Sequence, residues 1–192
     1  MVPHTGVRAM SNGADKAKTA VTNILLTGRP GIGKTTVITR LADLLSNKAT
    51  AGFYTGEIRE GGQRQGFGAT TFSGGSGVLA HVGLQSRRRV GRYGVDVAAF
   101  EQLVLPELGR GCDVMLIDEI GKMECFSTRF VNAVRGLLDG PTPIVATVGV
   151  SGGGFIAEVK ARFDAEVWQV TRESRDGLPQ RLAERVAATL RQ

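Results

Sequence analysis

Cysteine is scarce in this chain, and so are the patterns by which side chains staple or ligate. Only two cysteines, Cys112 and Cys125, occur in 192 residues. They form no Cys-x-x-Cys pair, which argues against a disulfide framework and makes a reducing cytosol the simplest compartment. The two histidines, His4 and His81, lack metal-ligand spacing. No apolar run approaches the roughly 20 residues that span a membrane, so no membrane partner is expected. No N-terminal apolar segment sits between positive charge and a small-residue cleavage site, so no secretory signal is expected. There is no internal repeat and no sign of a second domain.

What is present fits one sizeable domain. Hydrophobic residues make up 42% of the chain and charged residues 22%, both ordinary for a globular protein. Residues 1–20 are small, polar and without period and read as a disordered tail, leaving residues 21–192 as the ordered domain. Net charge is +6, with Arg87, Arg88, Arg89 and Arg92 close together in "QSRRRVGRYG". Such a cluster suits a solvated loop, nucleotide phosphates or nucleic acid.

Periodicity alternates along the chain. "VTNILLT" reads as a buried strand, and Val37, Ile38, Leu41, Leu44 and Leu45 follow at helical spacing. "AGFYTGEIRE" and "QGFGATTFS" flank a glycine-rich turn and predict a hairpin, with "GVLAHVG" as a further strand. Asp96 is placed to cap a helix that Pro106 should kink or shorten. "DVMLIDEIG", "PIVATV" and "EVWQVT" are unalternating runs of the kind buried on both faces of a parallel sheet. Between them, Phe126, Phe130, Val134, Leu137 and Leu138 predict one helix, and Phe155, Ile156, Val159 and Phe163 a shorter one. Leu178, Leu182, Val186 and Leu190 predict a C-terminal helix with Pro179 in its first turn. The expected architecture is a three-layer α/β sandwich, its mainly parallel sheet extended by an antiparallel hairpin.

The chemistry concentrates in two motifs. "GRPGIGKT" fits the phosphate-binding (Walker A) pattern at Gly28, Gly33, Lys34 and Thr35. Glycines let backbone N–H groups converge on a phosphate, and the following helix offers its own N–H groups and dipole. Lys34 would reach the β- and γ-phosphates and the Thr35 hydroxyl would ligate Mg²⁺. Asp118 and Glu119 end the strand "VMLIDEI" in the Walker B manner. Asp118 would hold the metal and Glu119 would orient or deprotonate an attacking water. Thr147, at the end of the next strand, either senses that site or is a threonine of ordinary β propensity. Lys122 and Glu124 are either neighbours of the catalytic groups or a surface pair. Phe53, Tyr54 and Tyr93 either stack a base or pack the core.

The segments "TGRPGIGKTT", "GFYTGEIREGGQRQGF", "VGRYGVDVAAFEQL" and "DEIGKME" together resemble the cancer-related nucleoside-triphosphatase (THEP-type) family, from about Asn23 to the C-terminus. The resemblance implies a RecA-like P-loop fold. It also implies slow, Mg²⁺-dependent hydrolysis of ATP, GTP, CTP and UTP to the nucleoside diphosphate and phosphate, with little base selectivity. It places the phosphate-binding loop on Gly28, Arg29, Pro30, Gly31, Ile32, Gly33, Lys34, Thr35 and Thr36. A second nucleotide-binding stretch falls on Val114, Met115, Leu116, Ile117, Asp118, Glu119, Ile120 and Gly121. Ser174 stands where the family more often has asparagine near the base pocket. The glycine-rich loop "GVSGGG" and the tail before Val21 also depart from the family.

A cytosolic, monomeric NTP hydrolase is therefore the leading expectation. A nucleoside or nucleotide kinase shares this length and P-loop, and a nucleotide-switched nucleic-acid binder would use the basic cluster.

Overall fold

The unalternating apolar runs form the middle layer of the molecule. The computed structural model describes residues 23–191; the tail expected over 1–20 lies outside them, as do Val21 and Gln192. In chain order the elements are β1 (Asn23–Thr27), α1 (Lys34–Leu44), β2 (Thr50–Glu60), β3 (Gln63–Thr71), β4 (Ser76–His81), β5 (Arg89–Val90), β6 (Tyr93–Val95), α2 (Val97–Leu108), β7 (Val114–Ile120), α3 (Thr128–Leu138), β8 (Ile144–Val148), α4 (Phe155–Lys160), β9 (Ala165–Gln169) and α5 (Leu178–Thr189). The nine strands make one sheet in the order β5-β6-β4-β3-β2-β7-β8-β1-β9. From β2 to β9 every pairing is parallel. The β2–β3 hairpin then turns the sheet antiparallel, and β4, β6 and β5 continue it.

Both faces of the parallel part are buried, which is why its strands do not alternate. Met115 and Ile117 of β7 join Phe53, Phe100, Phe130 and Val134 on one face. Val114 and Leu116 join Val37, Ile38, Leu41, Leu182 and Val186 on the other. Helices α2, α3 and α4 therefore cover one face, and α1 and α5 the other. Phe53 packs edge-on against Phe100 and Phe130, with ring centroids 5.6 and 5.9 Å away. Tyr54 leans on Phe72 and buried Tyr93 on Phe67. All three candidate base-stacking aromatics thus serve packing.

Local chemistry accounts for the helix ends. The Asp96 carboxylate accepts from the Ala99 N–H at 2.9 Å, as its spacing predicts. Ser127 caps α3 in the same way through the Phe130 N–H. Pro106 does not stop α2, which runs on to Leu108. It lies in the last turn on the exposed side, where the carbonyl it leaves unpaired can meet water. Phe163 and Leu190 depart from their predicted helices. Phe163 follows α4 and is 84% exposed, and Leu190 lies just beyond α5. Among the described residues no helix is long and apolar enough to cross a membrane.

One glycine is needed where β2 meets β7. Gly52 has φ +116°, and a Cβ there would lie 1.9 Å from the Leu116 carbonyl oxygen. Gly52→Ala is expected to destabilise the fold by about 3 kcal/mol or more, from strain and clash together. Urea unfolding of the two proteins measures this, and equal midpoints would contradict the β2–β7 register.

Candidate active site

In the loop between β1 and α1 one backbone donor, the Ile32 N–H, is taken up by the Arg29 carbonyl at 3.2 Å. Gly33 adopts φ +109°, open to glycine and costly to other residues, and no side chain caps the first turn of α1. The free N–H groups and the positive end of the helix dipole thus face the loop interior. Lys34, the first residue of α1, folds back so that its Nζ donates to the Gly28 carbonyl at 3.1 Å. A phosphate entering the loop offers that ammonium a better, charged acceptor.

Strand topology brings the acids to this loop. β8 lies between β1 and β7, so Asp118 must reach across a strand to meet α1. Thr35 Oγ1 donates to Asp118 Oδ2 at 2.6 Å, and Thr147 Oγ1, at the end of β8, donates to Oδ1 at 2.5 Å. The backbone N–H of Thr55 is a further donor. Thr147 thus belongs to the site through Asp118. Asp118 is 1% exposed. Burial pushes its carboxyl above the usual range, and the hydrogen bonds from Thr147 and Thr35 pull it back. The peptide between Asp118 and Glu119 is cis.

Glu119 stands in the cleft wall beside Lys34. Burial raises its carboxyl, the Lys34 charge lowers it, and Asp118 raises it further. Glu124, read from sequence as either a neighbour of the site or part of a surface pair, is buried beside these acids, while Lys122 is exposed in the cleft wall. A Cβ on Gly121 would lie 2.6 Å from Glu119 Oε1 and 2.7 Å from Glu124 Oε2, so the two carboxyls flank that glycine. Of the stretch Val114 to Gly121, the residues Val114, Met115, Leu116, Ile117 and Ile120 are buried apolar residues. They set the position of Asp118 and Glu119.

Lys34, Thr35, Glu119 and Glu124 line a cleft of about 710 Å³, with Asp118 buried behind Thr35. Its floor is the loop from Gly28 to Thr36, and its far wall is the hairpin, with Thr55, Glu57, Arg64 and Phe67. Arg64 carries no sequence signal of its own. It is fixed by Glu57 at 2.7 Å and by the Tyr93 hydroxyl at 3.0 Å. Within the arginine cluster, Arg92 donates to the Arg64 carbonyl, Arg89 to the Arg92 carbonyl at 2.6 Å, and Arg88 lies over Phe126. Ser174 is tied into its own turn, accepting from the Thr171 N–H at 3.0 Å. Arg175, also absent from the sequence expectations, reaches the Ile32 carbonyl of the loop.

The donor set suits a hard cation that keeps most of its shell for water and phosphate. Thr35 and Asp118 supply oxygens only. Among the described residues no group of three or more His, Cys, Asp or Glu side chains forms a metal cage. Mg²⁺ is commonly held by one or two protein oxygens together with substrate phosphates, so the pair fits it.

Residues 23–183 match the family described as NTPase. The chain is 44% identical over 174 residues to a cancer-related nucleoside-triphosphatase of Homo sapiens, covering 81% of this chain and 92% of that one. It is 41% identical over 158 residues to the nucleoside-triphosphatase THEP1 of Thermotoga sp. (strain RQ2), covering 81% and 90%. Among solved structures it resembles THEP1 from the hyperthermophile Aquifex aeolicus, with a TM-score of 0.78 and 32% identity over 85% of this chain and 98% of that one.

Burial of Glu124 makes stability depend on pH. Only 4% exposed, its carboxyl is raised from 4.5 to about 8, first by desolvation and then by the charges of Glu119 and Asp118. The folded protein therefore keeps a proton that the unfolded chain releases across that window. Stability falls by about 1.4 kcal/mol per pH unit as pH rises through it. Glu124→Gln removes the proton and keeps the shape. In urea titrations of the ligand-free protein at pH 5 and pH 8, the wild type is expected to lose several kcal/mol more than the variant. Parallel losses would contradict the buried placement of Glu124.

Proposed function

The chain belongs to the NTPase family, and from that premise we propose that it is a Mg²⁺-dependent hydrolase of nucleoside triphosphates, releasing a nucleoside diphosphate and phosphate. The observation that carries the reading is the 2.6 Å pairing of Thr35 with Asp118 at the head of an uncapped helix. Those two oxygens would hold Mg²⁺, and the backbone N–H groups of Gly31, Gly33, Lys34, Thr35 and Thr36, which line the cleft, would hold the phosphates. Bound there, the ion neutralises charge on the phosphate oxygens. Lys34 exchanges the Gly28 carbonyl for the β- and γ-phosphates. Glu119, whose proton affinity burial raises, positions a water and takes its proton as the water oxygen attacks the γ-phosphorus. Thr147 keeps Asp118 turned toward Thr35. ATP, GTP, CTP and UTP all share the triphosphate that these groups grip.

Nucleic acid is the weaker reading, because Arg89 and Arg92 are engaged by backbone carbonyls and Arg88 by Phe126. A monomer in the cytosol suits two free thiols, Cys112 and Cys125. Size-exclusion mass measurement tests the oligomeric state.

Two variants separate the roles of the acids. Glu119→Gln keeps the shape of the side chain and loses the base. It is expected to bind Mg·ATP like the wild type while single-turnover hydrolysis slows by about 10²- to 10⁴-fold. Asp118→Asn should weaken Mg²⁺-dependent binding as well as turnover. Wild-type hydrolysis by Glu119→Gln would move water activation elsewhere, and loss of its nucleotide binding would place Glu119 in the metal site.

Base tolerance follows from the segment after β9. Ser174 is held in its turn and no polar pocket matched to one base edge is built there, so discrimination should stay below about a hundredfold in kcat/KM. Phosphate release from the four NTPs measures it. A larger preference for one base would contradict the assignment.

A further inference from the structure

The hairpin wall sets a cation across the cleft from the phosphate-binding loop. Arg64 of β3 lines the same cleft as Lys34, Thr35 and Glu119. Strand β2 fixes where it stands. The Thr55 N–H donates to Asp118, and Glu57, two residues on, lies about 7 Å farther along the strand. Thr55 and Glu57 both face the cleft, as residues two apart in a strand must. Glu57 Oε1 in turn accepts from Arg64 Nη1 at 2.7 Å. This run of contacts holds the guanidinium beside the space that a phosphate next to Asp118 would fill.

The group is rigid, charged and only partly engaged. Its Nε donates to the Tyr93 hydroxyl at 3.0 Å. Its plane rests on Phe67 and Tyr93, 5.1 and 5.8 Å from the ring centroids. A guanidinium has five N–H donors, and those of Nη2 have no hydrogen-bond partner among the described residues. Nor does Glu57 cancel the charge. Hydrogen bonds from Arg64 and Arg59 keep its carboxyl below the usual range, and Arg59 takes its other oxygen at 2.7 Å. One carboxylate is therefore shared by two guanidiniums, and the trio stays positive. Among the described residues, Arg87, Arg88, Arg89 and Arg92 do not line this cleft.

We propose that Arg64 is a catalytic residue of the hydrolysis, its Nη2 N–H groups donating to γ-phosphoryl oxygens as charge gathers on them in the transition state. The proposal rests on the hydrolase reading. The water oxygen forms a bond to the γ-phosphorus and its proton passes to Glu119. The bond from that phosphorus to the β,γ-bridging oxygen breaks, and its electron pair leaves with the nucleoside diphosphate. Arg64 makes and breaks no covalent bond. A donor already fixed by Glu57 and Tyr93 needs no reorganisation at that moment, which is what makes such a group effective. Lys34 grips the phosphates from the loop, and Arg64 meets the γ-phosphoryl group from the opposite wall. Tyr93 is then a positioning residue.

The test compares wild type, Arg64→Ala and Arg64→Lys in ATP hydrolysis and in nucleotide binding. Arg64→Ala is expected to lower kcat by about 10²- to 10³-fold, while binding Mg²⁺ and a non-hydrolysable ATP analogue like the wild type. Aluminium fluoride supplies the second readout, because with Mg·ADP it imitates the phosphoryl group in transit. The wild type should bind Mg·ADP far more tightly when aluminium fluoride is present. Arg64→Ala should bind Mg·ADP alone equally well and lose most of that gain. A residue that only braced the hairpin would not separate the two. Arg64→Lys keeps the charge and the stem without the planar fork; it is expected to fold, to bind nucleotide and to turn over slowly, and it decides the matter if Arg64→Ala does not fold. The role of Arg64 is overturned if a folded variant keeps the wild-type kcat, or if it loses affinity for Mg·ADP with and without aluminium fluoride by the same factor. Failure of the wild type itself to release phosphate from ATP would overturn the hydrolase reading and this proposal with it, whereas a wild-type rate in the variants overturns Arg64 alone.

Discussion

The Asp118 carboxylate is where the sheet, the loop and the helix are tied together. Its backbone belongs to β7, one oxygen is held by Thr35 of α1, and the other by Thr147 of β8. The need for two hydroxyls comes from topology. With β8 between β1 and β7, the acid can meet the loop only across the end of another strand. An apolar residue at position 147 would leave this carboxylate, 1% exposed, short of one hydrogen bond. An unsatisfied buried group of this kind costs about 1–3 kcal/mol, and more when charged. The same geometry that stabilises the ligand-free fold sets two oxygens where a phosphate-bound cation is expected.

Around this node the charges are arranged in zones. Lys34 lies on the loop side. Asp118, Glu119 and Glu124 lie in the middle, where burial raises all three carboxyls and the charge of Asp118 raises Glu119 and Glu124 further. Arg64, Arg89 and Lys122 lie toward the hairpin edge. Asp118 and Glu124 are buried and Glu119 is half-buried, so negative charge at the centre of the cleft is poorly solvated. The antiparallel extension from β3 to β5 supplies the far wall that a bare parallel sheet would lack. Its rigidity comes from the clasp of Glu57, Arg64 and Tyr93.

The parts that follow from local chemistry were legible in the sequence. The glycine-rich turn before α1 is readable because a left-handed backbone favours glycine and the following helix demands periodic apolar residues. The central strands are readable because burial on both faces removes alternation, and Asp96 because capping uses a short list of side chains. What could not be read depends on distant partners. Thr147 looks like any strand threonine until Asp118 arrives from β7. Glu124 opens a short 3-10 turn between Met123 and Cys125, and only the packed structure shows its burial. Strands β5 and β6 have two and three residues, too short for periodicity, and exist because β4 offers them an edge. Phe163 and Leu190 extend a helical spacing past the end of the helix, since spacing alone carries no stop signal.

The central claim is that Thr35 and Asp118 together receive a cation bound to the phosphates of a nucleoside triphosphate. Crystals grown with Mn²⁺ and a non-hydrolysable ATP analogue test it directly, because anomalous scattering locates the metal independently of the surrounding density. The account predicts one anomalous peak beside the Thr35 hydroxyl and the Asp118 carboxylate, with the triphosphate wrapped by residues 28–36 and Lys34 released from the Gly28 carbonyl. A metal bound away from that pair, or a triphosphate lying outside the loop, would contradict it.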